Sequence, residues 1–225
     1  MLKGAVLLDR QSPCVGDVVT ATPSGLNVPE DRVTYQWYRV KDGVETAVDG
    51  ATEPSYTATD TDMGCSLVCR LTSTDPIYQG SISSGPADPV RSPEAFAVYS
   101  ADDGSLCFYK RAAKPSVGDT FEGKKVTAVY TGFETKNYYE YNRVPWNGVA
   151  RNVKTATVVD EGIQPINTSY WFYDASYMTS CDLAKLDTSK VWDMERMFSD
   201  CKSLKSLNGL SNWDTSNVEN MEAMF

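Results

Sequence analysis

Histidine is absent from all 225 residues. Catalysis near neutral pH most often recruits it as the proton carrier, so Ser-His-Asp and Cys-His arrangements are excluded. The six cysteines, at positions 14, 65, 69, 107, 181 and 201, include no C-x-x-C pair, and they offer no close set of four ligands for a structural zinc. No apolar run reaches the roughly 18 residues of a membrane-spanning helix. The opening Met1–Asp9 has one lysine and an apolar stretch too short for a secretion signal, and is expected to be a β-strand. Phosphate-cradling glycine loops are missing too: Gly118–Gly123 is a turn before a strand. Basic charge is scarce, with 21 Lys and Arg against 30 Asp and Glu and a net charge of -9. Nucleic acid and anionic lipid both need a basic face, so neither is an expected partner, and the acidity fits solubility. In the adjacent pairs Asp102-Asp103 and Asp160-Glu161, neighbours on a strand point to opposite faces, which favours turn and solvated-surface roles over an acid/base couple. No catalytic, cofactor-binding or metal-ligating residue is expected.

What is present is a repeat. The twelve residues Asp187–Phe198 return 27 positions later as Asp214–Phe225, with eight identities. A fixed period means stacked units, each burying its apolar face on the next. Trp171–Asp174, Met178, Leu183 and Leu186 form an earlier, degenerate copy of Met197–Asp200, Leu204, Leu207 and Leu210. Each unit, about 26 residues long, is expected to combine a short helix with a short strand. Thr188 and Ser189 would cap the helix, which carries Val191, Met194, Met197 and Phe198 on one side, and Ser203–Leu210 would form the strand. Met194 and Met221 are expected at matching depths one layer apart. Because the repeated block ends at Phe225, the chain is expected to be a fragment of a longer array.

Residues 1–91 are all-β in pattern. Val18–Thr22, Val33–Arg39, Ser55–Thr59 and Ser66–Thr72 alternate or favour β-branched and aromatic types. Turn chemistry at Pro23–Gly25, Lys41–Gly43, Asp49-Gly50 and Asp62–Gly64 separates them. Asp60–Asp62 suits an Asx-type turn rather than a calcium loop. The proline-rich Gly85–Pro93 marks a linker. Residues 92–160 are again β-rich: Ala95–Tyr99 and Ser105–Tyr109 form a hairpin, because Asp103-Gly104 supplies the positive φ of a tight turn. Val126–Tyr130 and Val153–Val159 follow as strands. Between these two, Tyr138, Tyr139, Tyr141 and Trp146 lie in an aromatic loop. Loop aromatics serve as ligand contacts or fold back to cover a first repeat, and both roles suit these four.

Pro13–Asp17, Tyr35–Tyr38 with Trp37, and Gly50–Tyr56 followed by Asp62–Gly64 resemble the strand-B bend, strand C and E–F corner of bacterial immunoglobulin-like modules. Ser66 and Val68 stand where antibody-type domains carry the corner tyrosine and a strand-F cysteine, so their usual disulfide is absent. In such a sandwich Cys14 and Cys65 lie at the same end, where either a bridge closing a loop of about 50 residues or two free thiols fits. Cys69 is expected as a small buried hydrophobe. Asn212–Phe225 and Phe198–Leu207 are similar to the two halves of the repeat of BspA-like leucine-rich-repeat surface proteins. The resemblance implies in-register buried thiols at Cys181 and Cys201.

The expected architecture is mainly β: an immunoglobulin-like sandwich (1–91), a β-rich cap (92–160) and a short leucine-rich-repeat solenoid (161–225). The implied role is non-catalytic, a monomeric adhesion module on a bacterial surface or secreted from the cell. Its partners would be host extracellular or microbial surface proteins or glycans, with no membrane insertion. The alternative is an accessory region of a larger secreted enzyme.

Overall fold

Trp37 sits at the centre of the first compact unit, Met1–Pro93, fully buried with its indole N–H donated to the Glu53 carbonyl at 2.9 Å. The computed structural model describes the backbone of residues 1–225 and every side chain but that of Asn142. Strands β1 (Ala5–Leu8), β2 (Val18–Ser24) and β5 (Ser55–Thr57) form one antiparallel sheet. A second contains β3 (Val33–Lys41), β4 (Val44–Ala47), β6 (Ser66–Ser73) and β7 (Ser81–Ser83) in the order β4-β3-β6-β7. Strand side chains alternate between faces, which turns Leu67, Cys69 and Leu71 of β6 inward with Trp37, Val19 and Val6. Cys69 is opposite Trp37 in register, and burial pushes its thiol up to about 12.

The Asp60–Asp62 stretch is a 3-10 turn rather than an Asx turn, closed by reciprocal bonds between Thr59 and Asp62. Asp62 is fully buried and accepts from Arg39, the Tyr56 hydroxyl and the Thr59 N–H. Burial alone would raise its pKa, but these donors hold it below the usual carboxylate range.

The bends carrying Cys14 and Cys65 do meet at one end of the unit, with the Val90–Arg91 segment running between them. Val90 bonds Gly64 and Cys65 on one side, and Arg91 bonds Pro13 and Val15 on the other. The two cysteines are therefore two strand spacings apart, roughly 9–10 Å, beyond the ~7 Å reach of a disulfide. Cys65 carries a free thiol.

The second unit, Glu94–Phe225, is organised by a six-stranded sheet. Its strands are β8 (Glu94–Ser100), β9 (Ser105–Arg111), β12 (Ala128–Thr131), β13 (Thr155–Val158), β14 (Ser180–Asp182) and β15 (Ser206–Asn208), in the order β12-β8-β9-β13-β14-β15. The expected hairpin joins β8 to β9, with Gly104 at φ 72°. β12, β8 and β9 are antiparallel, and β9, β13, β14 and β15 run parallel. Ala95, Ala97 and Tyr99 of β8 face the main core, whereas Phe96 and Val98 face a smaller cluster with Tyr109 and Val126. The hairpin of β10 (Thr120–Phe121) and β11 (Lys124–Lys125) brings Phe121 against that cluster.

From about residue 163 the chain lays one stretch beside the last in parallel register: Asn167 bridges Asp193, and Asp193 bridges Asn220. The short helix expected over Thr188–Phe198 does not form, and this stretch is a succession of turns. Alternate N–H groups leave the turn altogether. Those of Met194, Arg196 and Phe198 are donated to the carbonyls of Asn220, Glu222 and Met224, and those of Thr168, Tyr170, Phe172 and Asp174 to Asp193, Glu195, Met197 and Ser199. An α-helix would need those donors for its own i−4 carbonyls. Left-handed φ values at Tyr170, Arg196 and Ala223 recur at the same place in each stretch and are incompatible with helix.

The apolar residues assigned to the helix are nonetheless buried: Val191, Met194, Met197 and Phe198. Phe172, Phe198 and Phe225 stack with centroids 5.4 and 5.6 Å apart and planes inclined by 17° and 9°. Asn167, Asp193 and Asn220 each accept the N–H two residues on, from Ser169, Glu195 and Glu222. Met194 and Met221 share a register but not a depth. Met194 is fully buried and Met221 is 45% exposed, because the 220–225 stretch has a neighbouring stretch on one side only. The strand expected over Ser203–Leu210 is confined to β15, with Leu204 and Leu207 half-buried and Leu210 exposed.

Candidate ligand surface

The aromatic loop divides by burial. Tyr138 and Trp146 are core residues, each 1% exposed. Trp146 packs edge-on against Phe108, Phe133 and Trp171 and donates its indole N–H to the Trp171 carbonyl at 2.6 Å. Burial raises the Tyr138 phenol well above its ordinary value, and its hydroxyl has no hydrogen-bond partner among the described residues. Neither can touch a ligand without unpacking the core. They cover the start of the repeated region instead, with the Ser169 hydroxyl donating to the Tyr138 carbonyl. Tyr139 and Tyr141 are exposed.

Tyr141 does not stand alone. Its ring lies 5.4 Å from that of Tyr173, which in turn lies 5.7 Å from Tyr170. Tyr170 donates its hydroxyl to Glu195 at 2.6 Å, and desolvation together with that carboxylate pushes its phenol up to about 12. Tyr170 and Tyr173 come from the first repeated stretch, and Tyr141 from the 3-10 turn Tyr141–Arg143. Between Tyr141 and Tyr173 opens a depression of about 230 Å³, with Asn147, Arg151 and Asp174 on its walls. Arg151 is clamped by Asp174 through its Nε at 2.7 Å and a terminal nitrogen at 2.6 Å. The hydrogen bond and the carboxylate's charge hold the guanidinium pKa above its ordinary value.

Arg151 also lines a neighbouring depression of about 440 Å³, with Tyr99, Asn152, Lys154 and Tyr177. No local sequence motif marks Arg151, Tyr173 or Tyr177 as a ligand contact. A signal existed in the repeat: one step of 26 takes Tyr173 to Ser199 and Tyr177 to Ser203. Large aromatics stand where the later copy carries serine, which marks those positions as outward and free to vary. A third depression, along Asp187 and Asp214, lacks aromatics, and among the described residues no three metal-ligating side chains converge.

The parallel stretches coincide with a family match. Residues 164–225 match the family described as Mycoplasma protein of unknown function, DUF285. The matched region opens at Gln164, whose amide donates to Asp187 and Ser189 and so ties the first stretch to the second. It includes Tyr170, Tyr173 and Tyr177 and excludes Tyr141, Arg151 and Lys154, so the surface is half inside the matched region. No curated protein matches the chain. Among the described residues no helix is long and apolar enough to cross a membrane.

Proposed function

We propose that this chain is a non-catalytic interaction module of a bacterial surface or secreted protein, built to bind host or microbial proteins or glycans. In this reading residues 161–225 are stacked coils of the BspA-like leucine-rich-repeat type, residues 92–160 cap them, and residues 1–91 are an immunoglobulin-like sandwich. The observation that carries it is the parallel main-chain ladder, in which Thr168, Tyr170 and Phe172 bond to one stretch as Met194, Arg196 and Phe198 bond to the next. Such stacking spends its apolar residues on neighbouring coils and turns a row of variable positions outward. Tyrosines fill that row in the first coil. The lack of histidine in all 225 residues supports binding rather than turnover.

Binding of the full chain to immobilised matrix proteins, mucins and a glycan array tests the proposal. Saturable binding to at least one class is expected. Binding to none of them refutes it.

A further inference from the structure

Resting on the interaction-module reading, we infer that the twin depression around Arg151 binds an acidic sugar chain. The twin depression carries two cations, Arg151 and Lys154, against one carboxylate, Asp174, which leaves it one net positive charge in a chain whose net charge is -9. Such a local reversal of sign concentrates anions against the field of the whole molecule. Lys154 makes no salt bridge among the described residues. Its stem lies over Gly104, where an added Cβ would come within 2.9 Å of it, so the glycine gives the lysine its seat. Arg151 is oriented by Asp174 through two of its nitrogens. A guanidinium has five N–H donors, so several remain for an incoming carboxylate or sulfate, which it can meet in a forked geometry.

The rest of the lining fits sugar better than peptide. Tyr141 and Tyr173 present ring surface in the smaller depression and Tyr177, 66% exposed, in the larger. The negative face of an aromatic ring attracts polarised C–H bonds, which a pyranose carries on its flat side. Asn147 and Asn152 supply paired donors and acceptors of the kind hydroxyl groups need. Neither depression has a Leu, Ile, Val, Met or Phe in its wall, so a peptide's apolar anchor finds no pocket. Together they would seat an extended chain, with neutral units over Tyr141 and Tyr173 and the acidic unit between Arg151 and Lys154.

Calorimetric titration of the full chain tests this with hyaluronan and chondroitin 4-sulfate tetrasaccharides, neutral chitotetraose and an acidic peptide, oligoglutamate. At least one acidic tetrasaccharide should bind about tenfold more tightly than chitotetraose, and more weakly as salt rises. Tyr177→Ala, at an exposed position, should weaken that binding about fivefold. Lys154→Gln should reduce the preference for acidic over neutral sugar about fivefold. Equal affinity for neutral and acidic sugars, oligoglutamate binding as tightly as the sugars, or Tyr177→Ala and Lys154→Gln binding like the parent would each overturn the assignment. If those variants still bind a matrix protein or another glycan, the interaction-module reading stands and only this site is lost.

Discussion

Phe198 and Phe225 occupy the same place in successive repeats, yet Phe198 is 2% exposed and Phe225 is 70% exposed. This allows a sharp comparison of one substitution at two depths. Phe198→Ala removes a ring stacked between Phe172 and Phe225. The lost transfer energy is about 1.5–3 kcal/mol for a buried side chain, and the unfilled cavity brings the expected total to about 3–5 kcal/mol. Phe225→Ala removes a ring with one stacked neighbour and an open face, and should cost about 1 kcal/mol or less. Urea unfolding followed by tryptophan fluorescence is a suitable assay, because four of the five tryptophans, Trp146, Trp171, Trp192 and Trp213, lie in the unit carrying the stack. A double-mutant cycle between Phe172→Leu and Phe198→Leu should add a coupling of about 0.5–1.5 kcal/mol, the surplus of an aromatic pair over its area. Equal losses for the two alanine variants, or a zero coupling, would refute the view that adjacent stretches stabilise one another through this column.

Gly209, at φ 102°, approaches the previous coil so closely that a Cβ would lie 2.4 Å from the Ala184 nitrogen; Gly209→Ala should destabilise by about 2–3 kcal/mol or more on thermal melting, with loss of β15. Asp193 is buried, and desolvation, helped by the charge of the Glu195 carboxylate, raises its pKa against the opposing hydrogen bond from the Glu195 N–H. Its protonated form is therefore favoured on folding, so stability is greatest below the unfolded carboxylate value and falls as pH rises through the folded one. Asp193→Asn removes that fall at the expense of the bond from Asn167; its urea midpoint relative to wild type should climb from pH 3 to pH 8, and a decline would contradict the sign. Burial pushes the Cys69 and Cys201 thiols up to about 12 and Cys181 higher still, so iodoacetamide at pH 8 should leave all three unlabelled until denaturant is added, as read by peptide mass spectrometry.

Much of the β framework is legible in local residue pattern. Asp103-Gly104 between two alternating runs specifies the β8–β9 hairpin, and Trp37 flanked by polar and aromatic partners marks the core strand of the first unit. The aromatic loop is harder. Tyr138 and Tyr139 are chain neighbours of identical chemistry, yet one is core and the other is surface, because the start of the repeated region packs over the first alone. Arg151 and Lys154 are ordinary basic residues until Asp174, 23 positions on, and Gly104, 50 positions back, fix where their charges point.

By itself the sequence determined the period. Residues recurring 26 or 27 apart fall in matching register, and their apolar members are buried where a neighbouring stretch lies on either side, as Met194 and Phe198 are and Met221 and Phe225 are not. Only the tertiary structure decided the element. Val191, Met194, Met197 and Phe198 fit one side of a helix as well as they fit a stack of turns. The choice fell to turns because neighbouring stretches offer their carbonyls to every second N–H, a partner that no single stretch contains. The same is true of the tyrosine surface: Tyr141 comes from a 3-10 turn and Tyr170 and Tyr173 from the first repeated stretch, and their rings meet only in the folded chain.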